Sequence, residues 1–145
     1  MRRMVSVLSV LLCLFCGAQA VSAQDARNSQ ANGFQLGQNY PNPFNPETTI
    51  PFTLNEDLFV DGRPARVSIR IYDILAQLVA HPVALGHPSG EGTPVDELEY
   101  YQPGRYEAFW DGTDRLGRQV ASGVYLMQLS VNGLKPVTHK ILVSK

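Results

Sequence analysis

Apolar and polar residues alternate with period two over most of the chain beyond residue 48, the pattern of strands that bury one face. Ile50, Phe52 and Leu54 alternate with Thr49, Pro51 and Thr53 and predict a short first strand. Pro51 inside it points to a sheet edge, because proline has no N–H to give to a ladder. Val67, Ile69 and Ile71 alternate with Arg66, Ser68, Arg70 and Tyr72 in the clearest half-buried strand. Asp73–Ala76 reads as the turn of a hairpin that returns through Gln77–Val83. Residues 84–98 (ALGHPSGEGTPVDEL) are rich in glycine, proline and acids and predict a mobile surface loop. Alternation resumes over Gly104–Trp110, with Tyr106, Ala108 and Trp110 on one face. A dense turn cluster, Asp111–Gly117, follows. Gly123–Val131 places Tyr125, Met127, Leu129 and Val131 on its apolar side. Asn132-Gly133 suits a type I′ hairpin turn, and Pro136–Val143 forms a last strand. No helical stretch of ten or more residues shows 3.6 periodicity. Six or seven short strands separated by turn signals predict an antiparallel β-sandwich, with Trp110 as its core centrepiece.

The first residues change what counts as the folded protein. Arg2 and Arg3, the apolar run Val5–Cys16, and the small residues at Ala18–Ala20 and Val21–Ala23 are the parts of a secretory signal peptide. Residues 1–23 are therefore expected to be removed by the Sec machinery and signal peptidase; the apolar run is too short to span a bilayer. Residues 24–37 are polar and aperiodic and read as a flexible leader, leaving 38–145 as the domain. Both cysteines lie in the signal segment, so the mature chain has no thiol chemistry. Its charge, ten Lys+Arg against thirteen Asp+Glu, gives no support to nucleic-acid binding, and no second apolar segment approaches membrane-spanning length.

The run Gln38-Asn39-Tyr40-Pro41-Asn42-Pro43-Phe44-Asn45-Pro46 cannot be helical, because three prolines remove N–H groups and push the preceding residues towards extended geometry. It reads as a stiff, polyproline-like lead-in with Tyr40 and Phe44 free to clamp a core. Together with Ile71-Tyr72-Asp73-Ile74-Leu75 and Trp110-Asp111-Gly112-Thr113-Asp114…Gly117…Val120-Ala121-Ser122-Gly123-Val124-Tyr125, this run resembles the immunoglobulin-like domain of flagellar hook-capping proteins. It is more similar to the type A C-terminal sorting domain of the type IX secretion system. The closing stretch from Thr138 to Lys145 fits the same family. The resemblance implies an immunoglobulin-like (fibronectin III-like) sandwich of about seven strands with no catalytic role and no cofactor. It implies a periplasmic passage, recognition by an outer-membrane translocon, and delivery to the cell surface or the medium. Lys140 and Lys145 are the residues expected to be read by that translocon, by strand addition at an exposed edge or at the last hairpin, Val124–Val143; the alternative is that these lysines, with Lys135, simply protect an edge from pairing. The family usually has glycine where this chain has Ala76, so the turn there must change type or accept strain. Only about fourteen polar residues separate the predicted signal from the domain, so no cargo is expected before it. The alternative is a secreted structural, assembly or adhesive module acting by protein or glycan contact.

Candidate chemistry is thin. Asp111, Thr113 and Asp114 crowd oxygens as a calcium loop does, but aspartates in such turns more simply cap backbone N–H groups. Glu91, Asp96, Glu97 and Glu99 read as a solvated acidic loop. His81, His87 and His139 have no ligand spacing for zinc. Ser122 sits in Ala-Ser-Gly rather than a nucleophile elbow, so no enzyme is expected.

Overall fold

The computed structural model describes residues 32–145. The predicted signal peptide and residues 24–31 of the predicted leader lie outside the described residues. Among the described residues nine strands form two antiparallel sheets. The first sheet contains β1 (Phe34–Leu36), β2 (Thr48–Leu54), β5 (Val83–Ala84) and β7 (Gly104–Trp110), in the order β1-β2-β7-β5. The second contains β3 (Ala65–Tyr72), β4 (Leu78–Ala80), β8 (Gly123–Val131) and β9 (Val137–Val143), in the order β4-β3-β8-β9, with β6 (Leu98–Tyr100) on the first residues of β3. The only helical element among the described residues is a 3-10 turn, Glu56–Phe59. This is the expected all-β sandwich of immunoglobulin-like type, built on five strands of seven to nine residues with four pieces of two or three residues beside them.

The predicted strand faces form the core. Ile50, Phe52 and Leu54 meet Val67, Ile69 and Ile71 across the sandwich interior, joined by Ala108, Trp110, Met127, Leu129, Val131 and Ile141, all buried. Each large side chain contributes about 1.5–3 kcal/mol by leaving water. The Asn132-Gly133 turn has φ of 51° and 70°, as a type I′ turn requires.

Four local expectations change. Phe34 and Leu36, in the stretch read as leader, are buried and pair with Leu54 and Phe52 as strand β1. That places Pro51 in an inner strand, between β1 and β7. The proline is tolerated because it falls where β1 departs: Gly37 N–H donates to the Pro51 carbonyl at 2.8 Å, and pairing on that side resumes only at Tyr40↔Thr49. The predicted return strand Gln77–Val83 is divided, β4 pairing with β3 and β5 crossing to the other sheet beyond Pro82. Residues 84–98 are tied down rather than loose: Val95 is fully buried, its carbonyl accepts from Ile69 N–H at 2.8 Å, and its N–H donates to the Pro82 carbonyl at 2.8 Å. One buried valine among polar neighbours leaves no periodic signal to read.

Candidate functional site

The ladders bring the start of β2, the end of β7, the end of β3, the start of β8 and the end of β9 to one pole of the sandwich. Thr48 faces Trp110, Tyr72 faces Leu126, and Gly123 faces Val143. Every motif residue singled out from the sequence therefore gathers there, although the motifs lie up to a hundred residues apart.

The Tyr40–Pro46 run fastens the two sheets together at this pole. Tyr40 exchanges two 2.9 Å backbone hydrogen bonds with Thr49 of the first sheet. The chain then bends, and Phe44 N–H donates to the Leu142 carbonyl while Ser144 N–H donates to the Phe44 carbonyl, both at 3.0 Å. Phe44 thus lies as a one-residue parallel strand against β9. Asn42 Oδ1 accepts Leu142 N–H at 3.0 Å. Buried Asn39 donates through Nδ2 to Thr48 Oγ1 (3.0 Å) and to the Pro41 carbonyl (3.2 Å). The run is not the extended lead-in expected: residues 41–43 and 45–46 are bends, and the peptide bonds before Pro41, Pro43 and Pro46 are cis. Of the two predicted clamps only Phe44 enters the core, at 1% exposure. Tyr40 stays 46% exposed, its hydroxyl donating to Glu107 Oε1.

Phe44 meets Trp110 with ring centres 5.3 Å apart, and Trp110 meets Tyr125 at 6.0 Å. Trp110 Nε1–H donates to the Thr113 carbonyl at 2.8 Å, so its polar atom is satisfied where its ring is buried. The Tyr125 hydroxyl donates to the Ala121 carbonyl at 2.9 Å. Burial, and then the Asp73 carboxylate, push that hydroxyl above its ordinary 10.0 and keep it a donor. Gly112 passes so close to the run that a Cβ there would lie 2.3 Å from the Pro46 carbonyl oxygen, and its φ is +75°.

Two of the motif turns are copies of one another, a relation the motif reading did not reveal. In Asp73-Ile74-Leu75-Ala76-Gln77, Asp73 Oδ1 accepts the N–H groups of Leu75 and Gln77, both at 2.9 Å. In Asp114-Arg115-Leu116-Gly117-Arg118, Asp114 Oδ1 accepts those of Leu116 (2.9 Å) and Arg118 (3.0 Å). Each aspartate N–H donates to the carbonyl four residues on, and the fourth residue is left-handed in both, Ala76 at φ 60° and Gly117 at 77°. The strain expected at Ala76 is therefore accepted rather than avoided. The signal was the shared Asp-x-Leu spacing, which hydrophobic periodicity does not weigh. Both turns hold their leucines out in solvent: Leu75 is 74% and Leu116 76% exposed, with Ile74 beside them at 74%. A cleft of about 570 Å³ separates the turns, lined among others by Asp73, Gln77, Val79, Arg115 and Tyr125.

The carboxylates that suggested calcium are occupied with turns. Asp111 Oδ1 accepts the Thr113 N–H (3.0 Å) and hydroxyl (2.6 Å), and Asp114 Oδ2 accepts Arg118 Nε–H at 3.0 Å. The Arg118 N–H holds the Asp114 carboxyl below its ordinary 3.8; desolvation opposes this, and the Leu116 N–H and the Arg118 side chain add to it. A folded value below the unfolded one gives stability that is present above the ordinary carboxylate range and lost as pH falls through it. Asp114→Asn is thus expected to flatten the acid limb of stability. Thermal melts between about pH 5 and pH 2 test this, and an acid limb as steep as that of the unmodified chain would show that the charge is idle.

Ser122 Oγ accepts Lys145 N–H at 3.1 Å, which ties the last residue to the start of β8. Lys140 is exposed on β9, opposite Leu126, and Lys145 is exposed beyond it. Neither makes a salt bridge among the described residues.

No protein-family model and no curated protein matches the chain. Among solved structures it is similar to the crystal structure of dimeric latent PorU from Porphyromonas gingivalis, with TM-score 0.51 and 23% identity over 76% of this chain. The match covers 9% of that chain, so the domain corresponds to a small part of a much longer protein. The likeness establishes a shared sandwich fold.

Proposed function

We propose that this domain is a non-catalytic sorting module, recognised at the pole just described by the outer-membrane translocon of a type IX-like secretion system. The observation that supports this is the convergence of the three motif segments. Their buried members (Phe44, Trp110, Tyr125) weld the sheets together, and their exposed members (Ile74, Leu75, Leu116) stand in solvent on the two turns that flank the cleft. The fold shared with part of PorU supports the architecture on which the reading stands. The module would cross the periplasm and finish at the cell surface or in the medium. The apolar turn tips also favour a second reading, an assembly or adhesive module that contacts a protein partner or a glycan. The deciding experiment fuses residues 32–145 to a reporter with its own signal peptide in a host that has the type IX system. The fusion must begin before Phe34, because one starting at Gly37 would omit β1. Release of the reporter to the surface or medium is expected; complete retention in the periplasm overturns the sorting reading and leaves the assembly reading.

A further inference from the structure

We infer that the unpaired outer edge of β9 at Thr138–Lys140 is a docking edge for an extended acidic segment of a different protein. This rests on the reading that the domain is recognised by a partner, and adds to the apolar turns of the pole a second contact of one edge and one chemistry. The bonds of Leu142 to Asn42 and Phe44 show that its N–H and C=O point away from β8. Backbone groups alternate sides along a strand, so those of Lys140 and Thr138 point the same way. Among the described residues no backbone group pairs with them. Towards the end of β9 the edge is closed by Phe44, which also shows that the edge accepts a strand in parallel orientation. The open part begins where Asn42 ends.

The charge selects the occupant. From Leu134 to Lys145 the chain holds Lys135, Lys140 and Lys145 and no acidic residue, in a protein whose formal net charge is −1. Carboxylates at alternate positions of an added strand would meet Lys140 across the edge, where opposite charges stabilise a cross-strand pair. A second copy of this chain is disfavoured by the same rule, because its β9 edge brings no carboxylate to pair with Lys140. Among the described residues the outer edge of β1 also has no strand partner, but its Phe-Gln-Leu sequence carries no charge to select one. The competing explanation is that Lys140 only guards a bare edge against pairing.

The two explanations differ on a strand that carries the opposite charge. The probe is an eight-residue peptide alternating valine and glutamate, with a valine–lysine peptide as its counterpart, added to the full chain. The expected result is slowed hydrogen exchange at the Thr138 and Lys140 amides with the glutamate peptide alone, and affinity that falls with added salt. Lys140→Glu should weaken binding at least about tenfold. Thr138→Pro removes one outward N–H, keeps the bonds to β8, and should weaken binding while leaving the melting temperature in place. No protection at these two amides, equal binding of the lysine peptide, or dimerisation through β9 overturns the inference. The reporter fusion separates this from the sorting reading. Export unchanged by both substitutions removes the edge as the sorting contact and leaves sorting intact. Protection by the peptide alongside a retained reporter upholds the edge and overturns sorting.

Discussion

Gly112→Ala is expected to destabilise the domain by about 3 kcal/mol, a melting temperature lower by about 10–15 °C. Two effects act together at this position. A left-handed φ of +75° costs an alanine about 1 kcal/mol wherever it occurs. The added methyl would also lie 2.3 Å from the Pro46 carbonyl oxygen, a backbone atom that moves only if the whole run moves. Gly117 supplies the control, since its φ is +77° but nothing lies within 4 Å of a Cβ built there. Gly117→Ala should therefore cost only the conformational part, about 1 kcal/mol. Equal melting temperatures for the two variants would mean that the run does not press on the Trp110–Gly112 turn in solution.

Phe44→Ala should cost about 4 kcal/mol, in the range for a large aromatic removed from a closed site. Phe44 is 1% exposed, and its ring fills the space beside Trp110 and Gly112. Its backbone also ties the run to β9, beside the Asn42 side chain, so a cavity there loosens the bonds to Leu142 and Ser144. Chemical denaturation reads the loss, and the fluorescence of the single tryptophan should shift to the red as its neighbour is removed. Tyr40→Phe is the contrast: its ring is 46% exposed and only the contact to Glu107 disappears, so a change within about 0.5 kcal/mol is expected. If Phe44→Ala melts with the unmodified chain, the run is an appendage and not a staple.

The sandwich was legible because each central strand buries its alternate residues within seven to nine positions, a distance that periodicity samples directly. Val67, Ile69 and Ile71 announce one face of β3 without reference to any partner. The short strands were not legible, because three residues such as Phe34–Leu36 carry too little alternation to separate from a polar leader. The buried Val95 and the sheet change at Pro82 escaped for the same reason: the force that places them is contact with Ile69 and with the other sheet.

The candidate site divides along the same line. Local sequence by itself determined the turn chemistry: Asp73 and Asp114 cap their own turns, Asn132-Gly133 reverses the chain, and the prolines of residues 41–46 forbid helix. Those outcomes depend on atoms within four or five residues. Which strand stands at an edge, and which motifs meet, was decided only by tertiary structure. Pro51 is inside a sheet because β1 pairs beside it, and Phe44 closes one half of the β9 edge while Thr138–Lys140 stays open. The pole exists because long-range ladders bring residues 40–46, 73–77, 110–125 and 140–145 together, and no local pattern records a pairing made a hundred residues away.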